Sequence, residues 1–261
     1  MDEAGKTHEW RTAIAEATAD GVRVRGYDVL NDLAGKIDFA EMVFLLLTGE
    51  LPTPGQAKLI NAVFVCCADH GISPSSTVSR FVQAAGVPIQ CGVAAGLMMF
   101  GDIHAGAGQE FCRHITELVA NARSTKRPYS EVAHEFVQAR KRIEGFGHPQ
   151  HPDGDPRTKV LFKLAREYGV AGDHIAMTLA IEEALQKQKK RAIPANIDAA
   201  VGAIVADLGI DWRLARSLIA IPRTAGLFAH CFEEMVREPG WRQITLDQVN
   251  YDGQAPRKLD R

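Results

Sequence analysis

The chain has 261 residues, which is enough for one large domain or two modest ones with a sizeable core. Its 30 Lys and Arg residues nearly balance 32 Asp and Glu residues, so the charge gives no sign of a nucleic-acid surface. The polar start of the chain argues against a secretory signal. The five cysteines show no CxxC spacing, so we expect reduced, mostly buried thiols in a cytoplasmic protein.

Apolar and polar residues alternate at residues 21–26, which predicts a short hairpin. After this segment, helical signals dominate the chain. Asp38 then precedes an apolar run that ends at Gly49, as the cap and stop of a helix do. Periodic apolar residues predict further helices over residues 54–69, 156–168, 173–190 and 214–237. The fold class we predict is therefore all-α.

The segment 81–101 carries no charge over 21 residues, which is long enough to span a bilayer. It also contains Pro88 and four glycines, and no basic cluster follows it. Gly92 and Gly96 form a GxxxG pattern, which allows close helix packing in membrane and soluble proteins. We predict a wholly buried core helix here and no membrane span.

Glycine-containing breaks near residues 101–108 and 202–213 predict two domains. A small domain over residues 109–212 would be inserted into a large domain made of residues 1–108 and 213–261. Glycines at such junctions suit the hinge motion of a site that must exclude water.

His104 lies in the first of these glycine-rich breaks, just before a predicted helix. The positive end of a helix dipole disfavours a cationic imidazole, so a neutral His104 can donate a hydrogen bond to an enolate oxygen. A histidine that caps a turn is the alternative.

His148 lies in a second glycine-rich break and is followed by His151, Asp153 and Asp155. These four side chains allow a metal loop, but their spacing matches no zinc or calcium pattern. We favour turn formation and helix capping for the two aspartates, and we predict no metal.

Asp198 stands at the predicted start of an apolar helix, where Asn196 is already available as the cap. A carboxylate beside apolar residues has a raised pKa and can act as a general acid or base. It could equally be only the acidic residue common in a helix's first turn.

Three cationic side chains complete the candidate set. Arg157, in the first turn of a helix, suggests a fixed carboxylate partner or ligand, although a solvated arginine is the alternative. Arg223 lies in an apolar stretch and needs an anion. His70 lies at a helix C-terminus, where a protonated imidazole is favoured.

Eight segments occur in the order typical of one family: residues 25–27 (RGY), 44–53 (FLLLTGELPT), 69–71 (DHG), 101–107 (GDIHAGA), 145–148 (GFGH), 155–157 (DPR), 196–198 (NID) and 223–230 (RTAGLFAH). With them the sequence resembles the citrate synthase superfamily, most of all its stand-alone citryl-CoA lyase branch. The resemblance implies an all-helical homodimer whose large and small domains close over the substrates.

The resemblance also implies a role for each matching residue. His104 would bind the thioester oxygen of the enol, His148 the hydroxyl or carbonyl oxygen of the oxoacid, and Asp198 would be the acid or base at the acetyl carbon. The implied oxoacid ligands are His70, Arg157 and Arg223, and the implied coenzyme A contacts are Gly145, Phe146, Gly147 and Asn196. The family's C-terminal arginine has no counterpart before Tyr251, and Arg257 is the candidate substitute.

The implied reaction is cleavage of citryl-CoA, or a similar 3-hydroxy-acyl-CoA, to acetyl-CoA and oxaloacetate. Coenzyme A would enter as a substrate thioester, with no tightly bound cofactor and with an acyl-CoA and an oxoacid as the small-molecule partners. A true citrate synthase is the alternative within the family, and citramalyl-CoA is an alternative substrate. A non-catalytic paralogue that binds CoA esters, or a metal hydrolase that uses His148, His151 and Asp153, would belong to a different class.

Overall fold

A computed structural model describes residues 10–147, 151–238 and 240–259. The chain divides into two compact units. The first contains the chain up to His70 together with Phe100–Ala225, and the second contains Gly71–Met99 together with the chain from Gly226 onward. Ten α-helices, three short strands, one π-helical turn and two 3₁₀ turns make up the described regular structure, so the all-α prediction is confirmed.

The first unit opens on a small antiparallel sheet of β1 (Ala15–Thr18), β2 (Gly21–Val24) and β3 (Tyr27–Asp28). Arg25 and Gly26 connect β2 to β3 and both have positive φ, as a two-residue hairpin turn requires. The predicted hairpin at residues 21–26 is therefore present, and β1 extends it to three strands.

Eight helices lie wholly or partly in the first unit. They are α1 (Phe39–Thr48), α2 (Pro54–Cys67), α5 (Ala107–Thr125), α6 (Tyr129–Gln138), α7 (Pro156–Glu167), α8 (Asp173–Lys189), α9 (Ile197–Asp207) and the first part of α10 (Ser217–Arg237). Their ends follow local signals. Asp38 and Glu41 form a capping box at α1, and Gly49 ends that helix in the left-handed conformation.

Helix α9 is the centre of the first unit, because its buried residues enter both of the unit's large apolar clusters. A Cβ atom on Gly202 would lie 2.7 Å from the carbonyl oxygen of Gly108 in α5. Helix α9 continues through Gly202 and ends at Asp207, so the break expected near residues 202–213 begins after it. The missing side chain of Gly202 allows α5 and α9 to cross closely.

The second unit corrects the prediction of one wholly buried helix over residues 81–101. The segment is divided between α3 (Pro74–Gln83) and α4 (Ile89–Met98), because Gly86 takes a positive φ and Pro88 lacks an amide donor. Phe81 is 47% exposed and Met98 is 85% exposed in the single chain. Only one face of each helix is therefore buried.

The GxxxG glycines of α4 have the packing role that the sequence indicated. A Cβ atom on Gly92 would lie 2.7 Å from the Cys231 sulfur, and one on Gly96 would overlap the Ser79 hydroxyl. Among the described residues, no helix combines the length and apolar character that a bilayer crossing needs.

Candidate active site

His104 lies in a tight turn between Phe100 and helix α5. The Gly101 amide donates to the His104 carbonyl oxygen at 3.0 Å, and Ala105 adopts the left-handed conformation at φ 61°. A Cβ atom on Gly106 would lie 2.6 Å from the Gly101 carbonyl oxygen, so only glycine fits at that position. The Phe100 ring contacts the imidazole edge to face, with 5.5 Å between centroids. The backbone therefore holds the imidazole in one place.

The imidazole of His104 is half-buried, and its buried Nε2 atom has no hydrogen-bond partner among the described residues. Burial lowers the pKa of His104, and the positive charge of Arg223 lowers it further. The neutral form expected from the sequence is the favoured one, although the main cause is burial. A buried ring nitrogen without a partner is costly, which marks it as available to a ligand.

Asp198 is the second residue of α9 and lies beside the start of α5. The Asn196 side chain accepts hydrogen bonds from the Asp198 amide at 2.9 Å and the Ala199 amide at 3.4 Å, so Asn196 is the cap, as predicted. A Cβ atom on Gly108 would lie 3.1 Å from the Asp198 carbonyl oxygen. Close packing of the two helix starts therefore depends on glycine in α5.

The pKa of the Asp198 carboxyl is raised, in the direction the sequence predicted. Burial is the main cause, the Arg157 guanidinium opposes it, and the Asp155 carboxylate adds to it. A carboxyl that holds its proton at higher pH than usual can donate that proton to a carbon atom.

The four residues predicted to border coenzyme A lie together. Asn196 donates from its backbone amide to the Gly145 carbonyl oxygen at 2.9 Å and from its side chain to the Gly147 carbonyl oxygen at 2.8 Å. Phe146 pairs with Ala195 in an antiparallel bridge. Gly145 adopts φ 83° in a space where a Cβ atom would meet Ala199 at 2.8 Å. We call residues 145–147 and 194–196 the paired loops.

The cations predicted to bind an oxoacid have protein partners of their own. Arg157 forms a two-point ion pair with Asp155, at 3.0 and 2.7 Å, which is the fixed carboxylate partner that the sequence suggested. Asp155 also caps α7 by accepting from the Arg157 amide. Arg223 is 7% exposed and donates to the Cys67 carbonyl oxygen at 3.0 Å.

His70 differs from its prediction. We expected a protonated imidazole at the end of α2, but burial lowers the pKa of His70, and the charges of Arg157 and Arg223 lower it further. Burial is the main cause, and the two nearby guanidinium groups act in the same direction. The same two arginines link the candidate residues electrostatically, because Arg223 acts on His104 and Arg157 acts on Asp198.

The remaining predicted site residues are His148 and Arg257. His148 falls outside the described residues. Arg257 belongs to the second unit, where it is exposed in the irregular segment that follows a short 3₁₀ turn at Leu246–Gln248. Within the described parts of the chain, no group of three or more His, Cys, Asp or Glu side chains has an arrangement that could hold a metal ion.

Sequence reasoning missed two residues of this region. Arg216, just before α10, donates to the Phe100 carbonyl oxygen at 3.3 Å and to Asp102 at 3.0 Å, so it ties down the turn that carries His104. The ring of His151 lies 6.0 Å from that of His70, where the sequence offered His151 only as part of a metal loop. Nothing local distinguishes Arg216 from its neighbour Arg213, so no sequence signal would have found it.

A family model described as "Citrate synthase, C-terminal domain" matches residues 52–243. The chain belongs to the citrate synthase family. It is 29% identical over 201 residues to citrate synthase 2 of Bacillus subtilis, covering 75% of this chain and 52% of that protein. It is 28% identical over 210 residues to glyoxysomal citrate synthase of Cucurbita maxima, covering 78% and 39%. This citrate synthase family chain thus spans about half the length, or less, of these curated relatives.

Among solved structures, this family member is similar to citryl-CoA lyase from Hydrogenobacter thermophilus, with a TM-score of 0.90 and 36% identity over 97% of this chain and 98% of that one. It shares its fold with ATP citrate lyase from Methanosaeta concilii, with a TM-score of 0.79 and 20% identity over 96% of this chain and 42% of that one. The family resemblance stated from the motifs is confirmed, and the first similarity supports the citryl-CoA lyase branch.

Proposed function

We propose that this chain cleaves citryl-CoA, or a closely similar 3-hydroxy-acyl-CoA, to acetyl-CoA and oxaloacetate. The observation that carries the proposal is the similarity to citryl-CoA lyase from Hydrogenobacter thermophilus, which extends over nearly the whole of both chains at 36% identity. The curated citrate synthases match over only part of their length.

The cleavage needs a base at the hydroxyl group, a donor at the thioester oxygen and an acid at the acetyl carbon. In the proposal His148 takes the proton of the hydroxyl group, and the hydroxyl oxygen becomes the ketone oxygen of oxaloacetate. The carbon–carbon bond breaks, and its electron pair forms the enolate of the thioester. His104 donates a hydrogen bond to the enolate oxygen. Asp198 then gives its proton to the enolate carbon, which forms acetyl-CoA.

The pKa shifts of His104 and Asp198 support the roles of hydrogen-bond donor and acid. His104 is half-buried, its buried Nε2 has no partner among the described residues, and its pKa is lowered, as a neutral hydrogen-bond donor needs. Asp198 has a raised pKa, as a proton donor needs. In the proposal Arg157, Arg223 and His70 bind the carboxylates and carbonyl of the oxoacid, because guanidinium groups suit carboxylates.

Coenzyme A enters this proposal as part of the substrate, with no tightly bound cofactor. The paired loops support it, because hydrogen bonds from Asn196 hold Gly145 and Gly147 together, and Phe146 and Gly147 are half-buried and so partly accessible to a ligand. Glycine at residue 147 lets a ligand approach the backbone closely.

We further propose an obligate homodimer that buries more than about 2,000 Å². Phe81, Met98 and Phe232 of the second unit are 47%, 85% and 59% exposed in the single chain, and this apolar surface is of the kind that a partner subunit covers. In this proposal the segment 251–257, with Arg257, contributes to the partner's site. Sedimentation at low micromolar concentration tests the assembly, and an active, stable monomer would refute it.

The proposal also includes the predicted division into two domains and the predicted cytoplasmic location. The large domain would contain residues 1–108 and 213–261, and the small domain residues 109–212. A cytoplasmic location is supported by the five cysteines, all of which carry free thiols in the structure, as they would in a reducing compartment.

The deciding experiment incubates the purified protein with citryl-CoA and follows oxaloacetate, acetyl-CoA and free CoA. We expect oxaloacetate and acetyl-CoA in equal amounts, with no release of free CoA. Citramalyl-CoA is assayed in parallel, and the ratio of kcat/KM values identifies the preferred substrate.

Citrate synthase is the second candidate, because the curated relatives carry that name. A synthase must also hydrolyse the citryl thioester, so acetyl-CoA and oxaloacetate would yield citrate and free CoA. Tight binding of CoA esters in calorimetry without turnover would favour the non-catalytic paralogue. A stoichiometric metal ion whose removal abolishes activity would favour the hydrolase.

A further inference from the structure

A buried glutamate near the end of α10 has no part in the roles proposed above. Glu234 is only 1% exposed. An ionised carboxylate that is removed from water is costly unless cationic groups pair with it. Glu234 has two such partners, Arg80 of α3 and Arg242 of the segment that follows α10. All three residues belong to the second unit.

The contact between Glu234 and Arg242 is a two-point ion pair. Arg242 donates from Nε to Oε1 at 2.7 Å and from Nη2 to Oε2 at 2.8 Å. Arg80 approaches Oε2 from the other helix, with its Nε atom at 2.7 Å. The hydrogen bonds from Arg242 are the main cause of the lowered pKa of Glu234. The carboxylate is therefore ionised at neutral pH and attracts both guanidinium groups.

Arg242 attaches a segment that is otherwise exposed. Every residue of the C-terminal segment (residues 240–259) is exposed in the single chain. Gly240 adopts φ 99°, a left-handed conformation that lets the chain turn back towards α10. Arg242 then reaches Glu234, which lies about one turn inside the end of the helix. Among the described residues, Arg242 provides the hydrogen bonds that join this segment to α10, so it fixes the point from which the segment extends.

A fixed starting point matters for a chain segment that must reach a distant site. Trp241, Leu246 and Tyr251 are exposed apolar residues of the C-terminal segment, so little apolar packing within the single chain holds it in place. A loose segment loses conformational entropy when it becomes ordered at a binding site, which weakens binding. A two-point ion pair fixes direction as well as distance, so it removes part of that freedom before binding.

We propose that Glu234 and Arg242 are positioning residues, which direct the C-terminal segment so that Arg257 reaches the active site of the partner subunit. This inference rests on the proposed function, in which residues 251–257 contribute to that site. Glu234 and Arg242 do not contact the substrate and act through the segment alone. Loss of the ion pair should therefore weaken substrate binding more than it slows the chemical step.

Arg242→Met is the decisive variant, because it releases the segment without leaving a buried charge unpaired. Glu234 keeps the Arg80 guanidinium at 2.7 Å, so the variant should fold. We expect KM for citryl-CoA to rise by about tenfold and kcat to change by less than about twofold. Arg242→Lys keeps the charge but loses the two-point geometry, so it should restore part of the binding. Glu234→Gln should resemble Arg242→Met.

Amide hydrogen exchange of residues 243–259 tests the ion pair without relying on activity. In the wild type the segment should be partly protected, and Arg242→Met should raise its exchange rate by about tenfold. A chain truncated after Trp241 sets the upper limit of the effect on KM, because it lacks both Arg242 and Arg257. Thermal unfolding should verify that each variant is folded.

The matched control is Arg237→Met, which removes a cation from the last turn of α10. Arg237 is exposed and pairs with Glu233, which keeps Arg80 as a second partner at 2.6 Å. The control should match the wild type in KM and in exchange. Equal KM values for Arg242→Met and Arg237→Met would overturn the proposal, and so would equal exchange of residues 243–259 or a loss of kcat alone.

Failure of the proposed function gives a different result. If the protein does not cleave citryl-CoA but Arg242→Met still raises the exchange of residues 243–259, the cleavage activity is contradicted and the role of the ion pair is supported. Calorimetric binding of citryl-CoA then takes the place of KM. If truncation after Trp241 leaves binding and KM unchanged, the segment does not serve the partner's site and the proposal is overturned.

Discussion

The starts of helices α5 and α9 lie side by side, but their N-terminal amide groups are capped differently. Helix α5 follows a turn with Ala105 in the left-handed conformation, and its N-cap residue, Gly106, provides no side-chain hydrogen bond. Helix α9 is capped by the Asn196 side chain. His104 therefore precedes a helix with open amide groups, whereas Asp198 sits inside a helix whose first amides are satisfied.

The difference shows how one small region can hold a donor and an acid at once. Open amide groups at α5 favour negative charge nearby, which suits an enolate oxygen next to His104. At α9 the Asn196 cap takes up the amides of Asp198 and Ala199, so they do not stabilise the Asp198 carboxylate directly. Burial then acts on both groups in the same sense, since it keeps the imidazole and the carboxyl neutral.

The largest expected effects on activity come from removing the His104 imidazole or the Asp198 carboxyl. His104→Ala and Asp198→Asn should each lower the kcat of citryl-CoA cleavage by about 10²–10⁴. The controls are His134→Ala on an exposed face of α6 and Asp173→Asn in the first turn of α8, both with wild-type rates expected. Full activity in the His104 and Asp198 variants would show that the assignment is wrong.

The pH dependence of kcat should reveal the role of Asp198 at the start of α9. In cleavage Asp198 must be protonated, so kcat falls by about tenfold per pH unit as pH rises through its pKa, which burial holds above 3.8. Condensation needs the ionised carboxyl, so its rate rises through the same pKa. Steady-state profiles in both directions check this, and parallel profiles would contradict the role of Asp198.

A smaller effect is expected at Arg216, which holds the turn before α5 but has no bond to α9. Arg216→Met should lower kcat by about tenfold to a hundredfold through misplacement of His104. The KM for citryl-CoA should change little. Arg213→Met is the matched control, because Arg213 pairs with Asp211 on the exposed surface. Equal kcat values for the two variants would mean that Arg216 does not position His104.

The smallest effect is on stability, and it has the opposite sign to the effect on activity. The pKa of Asp198 is raised by folding, so the folded chain binds its proton more tightly than the unfolded chain. Stability is therefore lost as pH rises above the unfolded value, and the loss levels off above the folded value. Asp198→Asn removes this cost and should raise Tm at pH 8 more than at pH 5. Calorimetric scans that show a lower Tm at pH 8 would contradict it.

Local signals predicted much of the fold and the family. Capping residues such as Asp38, Asp155 and Asn196 mark true helix starts. They could be read directly because a cap involves groups only two or three residues apart. The family was readable as well, because eight short motifs keep their order along the chain.

Helix packing, burial and protonation were determined by tertiary contacts, because those contacts join residues that are distant in the sequence. The sequence alone did not show that Gly202 lets α5 and α9 cross closely, and the segment 81–101 looked wholly buried until it divided at Gly86. The pKa of His70 is lowered first by burial and then by Arg157 and Arg223, which lie far along the chain. Periodicity and capping report on the nearest turn of helix, whereas burial and charge depend on everything packed around a group, which only the folded chain brings together.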